Sequence, residues 1–247
     1  MLCSALYFRQ ESLLFRPEKL DAHFRFEFPQ KFTEVNLPVD GATLNALHFT
    51  ATNPKGVVLY FHGNSGSLRS WGDVAESFTS RNFDLFIIDY RGYGKSSGTI
   101  RSEQQLIGDG ETAFAYVSQR YAPENIIIYG RSLGTGLAAQ IAQRHSPKML
   151  ILETAYVSLK ELTGRFYPYV PGFLLKFPMR TDLALPQIKS PIYLIHGTAD
   201  EVVPYDSSEK LMPLIQTTKE LVTIPDGRHN GLRITPLYNA ALDRFLR

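Results

Sequence analysis

Between Ile126 and Ala142 the chain reads IIIYGRSLGTGLAAQIA. Four bulky residues of strand character give way at Gly130 to Arg131 and Ser132, and from Leu133 onward the residues are small, apolar and helix-forming. A turn tight enough to pass directly from strand to helix forces its central residue into strained backbone and crowds the neighbours, so small residues flank it. The serine is then exposed at a sheet edge and at a helix N-terminus, where the Leu133 amide is free and the helix dipole favours negative charge. A nucleophile that generates an oxyanion benefits from both. The competing explanation, an N-cap serine beside packing glycines, does not require the small-residue helix that follows.

Working outward, GVVLYFHG, FDLFIIDY, KMLILE and PIYLIHG repeat the near-continuous apolar pattern of IIIYG, as strands of a parallel sheet do when both faces are buried. ELVTIP, Glu220 to Pro225, makes a sixth. Helical candidates separate them at Ser70 to Arg81, Ser102 to Tyr121, Leu133 to His145, Asp206 to Gln216 and Pro236 to Arg247. Ahead of the parallel runs, Thr33 to Val39 and Ala42 to Phe49 alternate around Asp40-Gly41, the pattern of an antiparallel hairpin. Strand, helix, strand in this order predicts an α/β fold: one mostly parallel central sheet with helices on both faces.

With 247 residues, 44% hydrophobic and 20% charged, the chain can bury a large core. Twenty-six basic against 24 acidic residues, without long runs of one sign, argue against nucleic acid as a partner. A lone cysteine, Cys3, excludes an intrachain disulfide and cysteine metal clusters. The start MLCSALYF is too short to span a bilayer and lacks the basic residues of a signal peptide. The expected compartment is therefore cytoplasmic, with peripheral membrane contact through the N-terminus as the alternative.

Open α/β sheets collect ligands outside the carboxyl ends of their strands. Those ends carry His62-Gly63-Asn64, Asp89-Tyr90-Arg91, Ser132, Glu153-Thr154, Asp200 and His229. Serine is a weak nucleophile and needs a base with an orienting acid. Of the six histidines, only His229 lies in a polar loop, PDGRHNG, between a strand and the last helix. His62 and His196 each precede a glycine at a strand end and are expected to organise their turns. Asp200, in HGTADEVVP, follows a buried strand, whereas Glu201, Asp206 and Asp226 sit off the rim. The order Ser132, Asp200, His229 is that of α/β-hydrolases.

YFHGNSGSL, IDYRGYGKSSG, YGRSLGTGLA and LIHGTADEVVP, in this order, resemble motifs of α/β-hydrolase-fold serine hydrolases of the peptidase-like and lysophospholipase-like group, many of which carry an N-terminal membrane anchor. The likeness covers roughly Thr33 to Arg247. It implies a Ser132, Asp200, His229 triad, an oxyanion hole from the backbone amides of Asn64 and Leu133, and no metal or organic cofactor. The chain departs from the group at its reduced N-terminus and at Arg228, where relatives carry glycine or another small residue. Arg228 is expected to narrow the site or add positive charge beside it.

These readings give an N-terminal extension over residues 1–32 and one hydrolase domain over 33–247, with a short cap inserted at about 156–186. The cap sequence is dense in aromatic residues, Leu and Pro, which either pack on the sheet or line an apolar acyl pocket. So brief a segment is too small for the mobile lid of a lipase, and short to medium acyl esters are the expected small-molecule substrates. Arg131 is expected to pair with Glu153 or to steer a carboxylate. A peptidase, or a lysophospholipase or thioesterase, with the same triad is the near alternative, although no subsite for a peptide terminus is evident; a non-catalytic binding protein has no need of the three residues together. A dehalogenase would carry aspartate in place of Ser132.

Overall fold

A computed structural model of the chain describes residues 10–166 and 171–247. The stretch MLCSALYF and Cys3 lie outside the described residues. All six apolar runs form strands: β3 (Val57–Phe61), β4 (Asp84–Ile88), β5 (Ile126–Arg131), β6 (Met149–Glu153), β7 (Ile192–Gly197) and β8 (Lys219–Ile224). The hairpin forms as well, from β1 (Phe32–Val39) and β2 (Ala42–Phe49), turning through Asp40 and Gly41 with φ +68° at the glycine. The eight strands lie in the order β8-β7-β6-β5-β3-β4-β2-β1, antiparallel between β1 and β2 and between β2 and β4, and parallel elsewhere.

Continuous apolar sequence follows from burial on both sides. Along β3, Val57, Leu59 and Phe61 enter one core layer, and Val58 and Tyr60 the other. The first layer packs under α3 (Glu103–Ser118) and α4 (Leu133–Arg144), and the second under α1 (Leu68–Trp71), α2 (Glu76–Thr79) and α8 (Pro236–Phe245). The segment expected as one helix from Ser70 starts earlier, capped by Ser67, and is split by a 3₁₀ turn at Gly72–Ala75. Gly72 is a poor helix former, and its missing side chain admits the Phe28 ring, whose Cζ lies 2.2 Å from where a Cβ would stand.

Between β6 and β7 run α5 (Leu159–Phe166), a 3₁₀ turn at Gly172–Leu174 and α6 (Thr181–Ala184). Leu159, Phe177, Met179, Ala184 and Leu185 join the core, whereas Phe166 and Phe173 are exposed. After β7 comes α7 (Asp206–Leu211), shorter than expected because Pro213 follows in a 3₁₀ turn, Met212–Leu214. Among the described residues no helix is long and apolar enough to cross a membrane.

The described part of the N-terminal segment lies against the body. Arg16–Pro17 pairs in parallel with Ser65–Gly66, just beyond β3, and Phe15 packs edge-on against Phe177 with 5.1 Å between centroids. Gln10 bonds to the Leu174 carbonyl and the Lys176 amide, so one strap joins the cap to the loop after β3.

Candidate active site

The junction of β5 and α4 places Ser132 at φ +50°, ψ −118°, a conformation that costs a non-glycine residue of the order of 1–3 kcal/mol. The surroundings enforce it. The Ser132 amide donates to the Glu153 carbonyl at 2.9 Å, and the Ser132 carbonyl accepts from the amide and hydroxyl of Thr135. Gly130 and Gly134 are required by contact: a Cβ on Gly134 would stand 2.0 Å from the Phe61 oxygen, and one on Gly130 2.5 Å from the Gly134 oxygen.

His229, carried by the loop between β8 and α8, brings Nε2 to 3.0 Å from Ser132 Oγ. Its Nδ1 lies 2.8 and 3.0 Å from the two carboxylate oxygens of Asp200. An ionised Asp200 only accepts, so Nδ1 holds the proton and Nε2 is left to accept from the serine hydroxyl. The structure thus brings Ser132, His229 and Asp200 into one chain of hydrogen bonds.

Burial by itself would raise the Asp200 pKa. Hydrogen bonds from His196 and His229, the charge on His229 and the Val203 amide outweigh it, holding the carboxyl well below the usual carboxylate range. The amides of Val202 and Val203 both donate to Oδ1 at 2.8 Å. His196 Nε2 lies 2.9 Å from the Val203 carbonyl and 3.3 Å from Asp200 Oδ2, while its Nδ1 accepts from Ser208. His196 therefore organises its turn, as expected, and in doing so supports the acid.

The loop after β3 passes beside the serine. The Asn64 carbonyl accepts from the Arg16 amide at 2.8 Å and from the Tyr93 hydroxyl at 2.6 Å. His62 Nδ1 lies 2.7 Å from the Gly63 carbonyl. In a trans peptide the N–H points opposite to the C=O, so this bond also sets the direction of the Asn64 N–H. Among the described residues neither the Asn64 nor the Leu133 amide donates to a protein acceptor, which leaves both available.

Arg131 pairs with Glu153, its register partner across β5 and β6, at 3.1 Å. Arg228 is exposed and pairs with nothing among the described residues. A cavity of about 360 Å³ lies on the α1 and α8 side, lined by Trp71, Arg131, Asn230 and Arg233 among others; the triad side chains do not line it. Among the described residues no cluster of three or more His, Cys, Asp or Glu could hold a metal.

The family model described as serine aminopeptidase, S33 (Hydrolase_4) matches residues 52–182, more than half of the chain. The chain is an α/β-hydrolase of this family. It is 32% identical over 213 residues to the uncharacterized protein YfhR of Salmonella typhimurium, covering 79% of this chain and 72% of that one. It is 29% identical over 234 residues to protein bem46 of Schizosaccharomyces pombe, covering 89% and 78%. Its fold is similar to the Pyrococcus furiosus esterase PF2001, with a TM-score of 0.76, 17% identity and coverage of 94% and 96%. It is also similar to Est1E of Butyrivibrio proteoclasticus, solved with ferulic acid, with a TM-score of 0.73, 22% identity and coverage of 86% and 97%.

Three features of this α/β-hydrolase were not found from its sequence. The contact of His196 with Asp200 depends on the turn after β7, and the grip of Arg16 on Asn64 joins distant parts of the chain. The third is the reach of Arg131 to the histidine loop, for which the only signal was its place directly before the serine.

Proposed function

We propose that this hydrolase cleaves short to medium acyl esters through an acyl-enzyme on Ser132. The observation that carries the reading is the hydrogen-bonded chain from Ser132 Oγ through His229 to Asp200, begun at a strained strand-to-helix turn. His229 takes the hydroxyl proton as Ser132 Oγ attacks the acyl carbon; the carbonyl π pair moves to oxygen, which the Asn64 and Leu133 amides receive. Collapse expels the alcohol, protonated by His229. Water, deprotonated by the same nitrogen, then releases the acid and restores Ser132. Asp200 holds the imidazole tautomer and stabilises its charged form. An oxyanion donor contributes roughly 3–4 kcal/mol in the transition state.

The limit on chain length comes from the cap. Each methylene buried in an apolar pocket adds about 0.8 kcal/mol, about fourfold in specificity, until the pocket is full. With Phe177, Met179 and Leu185 committed to the core, little of the segment is left to enclose a long acyl chain. Hydrolysis of p-nitrophenyl esters is expected to peak at roughly four to eight carbons. The family description favours a second reading, a peptidase with the same three residues. Peptide arylamides assayed beside the ester panel separate the two: cleavage of arylamides with no ester turnover, or a preference for emulsified long-chain triacylglycerol, would overturn the esterase reading.

A further inference from the structure

Arg131 makes a connection that the triad itself does not. In β5, alternate residues face opposite layers, and Arg131 continues the face of Ile127 and Tyr129, away from α4. Its guanidinium is nearly buried, with the side chain 13% exposed, and lies over Trp71 with 5.0 Å to the ring centroid. Nε donates to Glu153 Oε1 at 3.1 Å. One terminal nitrogen donates to the His229 carbonyl at 2.9 Å and to Asn230 Oδ1 at 2.7 Å. Glu153 is fixed in turn by the Tyr129 hydroxyl at 2.7 Å, which meets the Tyr238 hydroxyl of α8 at 3.0 Å. The same Glu153 also holds Ser132, through its backbone carbonyl.

We propose that Arg131 is a positioning residue that sets the separation of Ser132 and His229, by tying the histidine loop to the residue next to the serine. The inference rests on the reading of Ser132 and His229 as nucleophile and base. The need for such a tie is local. The loop holds Asp226 at φ +56°, Gly227, and Gly231 at φ +88°; its backbone is otherwise tied to the turn after β7, through Thr198 and Ala199, and not to the strand that carries Ser132. The His229 amide has one weak acceptor, Glu201 at 3.5 Å. A planar guanidinium spreads its donors over separate nitrogens and meets a carboxylate on one side and a backbone carbonyl with an amide oxygen on another; an ammonium holds its three donors on one nitrogen and does not span that distance. With Glu153 beside it, the arginine supplies geometry without leaving a bare positive charge next to a histidine that must become charged during the reaction.

The test uses the full chain with Arg131→Ala and Arg131→Lys. Because removing one member of a buried pair strands the other charge, the double variant Arg131→Met/Glu153→Gln is made alongside. A misplacement of about 1 Å can cost about 100-fold, so kcat on a p-nitrophenyl ester is expected to fall by roughly that factor in Arg131→Ala and in the double variant, with KM within about twofold. Arg131→Lys should recover little. Guanidinium ion at millimolar concentration, entering through the adjoining cavity, should restore at least about a tenth of the lost turnover to Arg131→Ala; urea, of the same shape without the charge, should not. The low-field proton resonance of His229 Nδ1–H reports the histidine without any substrate, and it should broaden in Arg131→Ala and sharpen again with guanidinium. Loss expressed in KM would make Arg131 a substrate-binding residue, and an unchanged kcat or resonance would remove it from the machinery; each overturns the proposal. Absence of Ser132-dependent ester turnover in the parent chain would defeat the esterase reading instead, while the resonance would still decide the role of Arg131.

Discussion

His229 and His62 each lie against an aspartate at the carboxyl edge of the sheet, yet their ring nitrogens are used differently. His229 meets Asp200 through Nδ1 and keeps Nε2 for a hydroxyl on a strained turn. His62, fully buried, spends Nδ1 on the Gly63 carbonyl and turns Nε2 to Asp89 at 3.4 Å, and among the described residues no hydroxyl bonds to that nitrogen. The acids differ too. Burial outweighs its hydrogen bonds and raises the Asp89 pKa, whereas the bonds prevail at Asp200 and lower it. A histidine and a carboxylate in contact therefore do not make a base; a free nitrogen aimed at a nucleophile and an acid kept ionised by several donors do. The pair at Asp89 holds the loop that carries Asn64, and under the proposed mechanism it would act through geometry alone.

The widest separation between the two pairs is expected in turnover. Asp200→Asn should lower kcat by about 10⁴-fold, the loss that accompanies a wrong imidazole tautomer in the worked triad example, while Asp89→Asn stays within about tenfold because it touches only a second-hand support of one amide. Steady-state kinetics on one ester with both variants checks this, and equal losses would erase the distinction. A smaller effect is expected at His62. Deleting a whole oxyanion donor costs about 10²–10³-fold, so His62→Gln, which only loosens the peptide bearing the Asn64 N–H, should cost about tenfold in kcat with KM little changed. A loss as large as that of His229→Gln would mean that His62 takes part in proton transfer.

The third expected difference lies in stability against pH, followed by urea unfolding. Asp200 has a folded pKa below its unfolded one, so on acidification the unfolded chain takes up the proton first and stability falls as the pH drops below the ordinary carboxylate value near 4. Asp200→Asn should flatten that acid limb by at most one proton, about 1.4 kcal/mol per pH unit. Asp89 has the opposite sign. Its folded form keeps a proton that the unfolded chain has already released, so its contribution falls as the pH rises above the ordinary value. Asp89→Asn should flatten the profile on that side instead. Slopes that change on the same side in both variants would contradict the assigned directions.

Much of the architecture was legible because β3 to β7 are buried on both faces, which leaves an apolar run that no surface strand or helix shares. The turn at Ser132 was legible for a steric reason, since Gly130 and Gly134 stand where no Cβ fits. Asp200 and His229 could be selected by their place after a strand, and the structure sets both in line with the serine. What escaped the sequence are contacts whose partners are set by packing. Arg131 meets Glu153 because β6 lies beside β5 in a particular register, and it meets the histidine loop because α8 folds back over the same face. The break in the helix after β3 depended on Phe28, a residue more than forty positions upstream whose ring fills the space at Gly72. The cap mixes buried and exposed aromatic residues without a period, so no pattern separated Phe177 from Phe173.

The strap from Gln10 to Pro17 bears on the order in which the molecule assembles. Its anchors are the Leu174 carbonyl, 164 positions away, and the Ser65–Gly66 edge. Closing so long a loop carries an entropic cost that only an already folded partner surface can offset. During synthesis Gln10 leaves the ribosome long before Leu174 exists, so that end waits undocked while the sheet is built. The Gln10 end of the strap is then expected to dock late in folding, whereas the Arg16 end needs only the edge beyond β3.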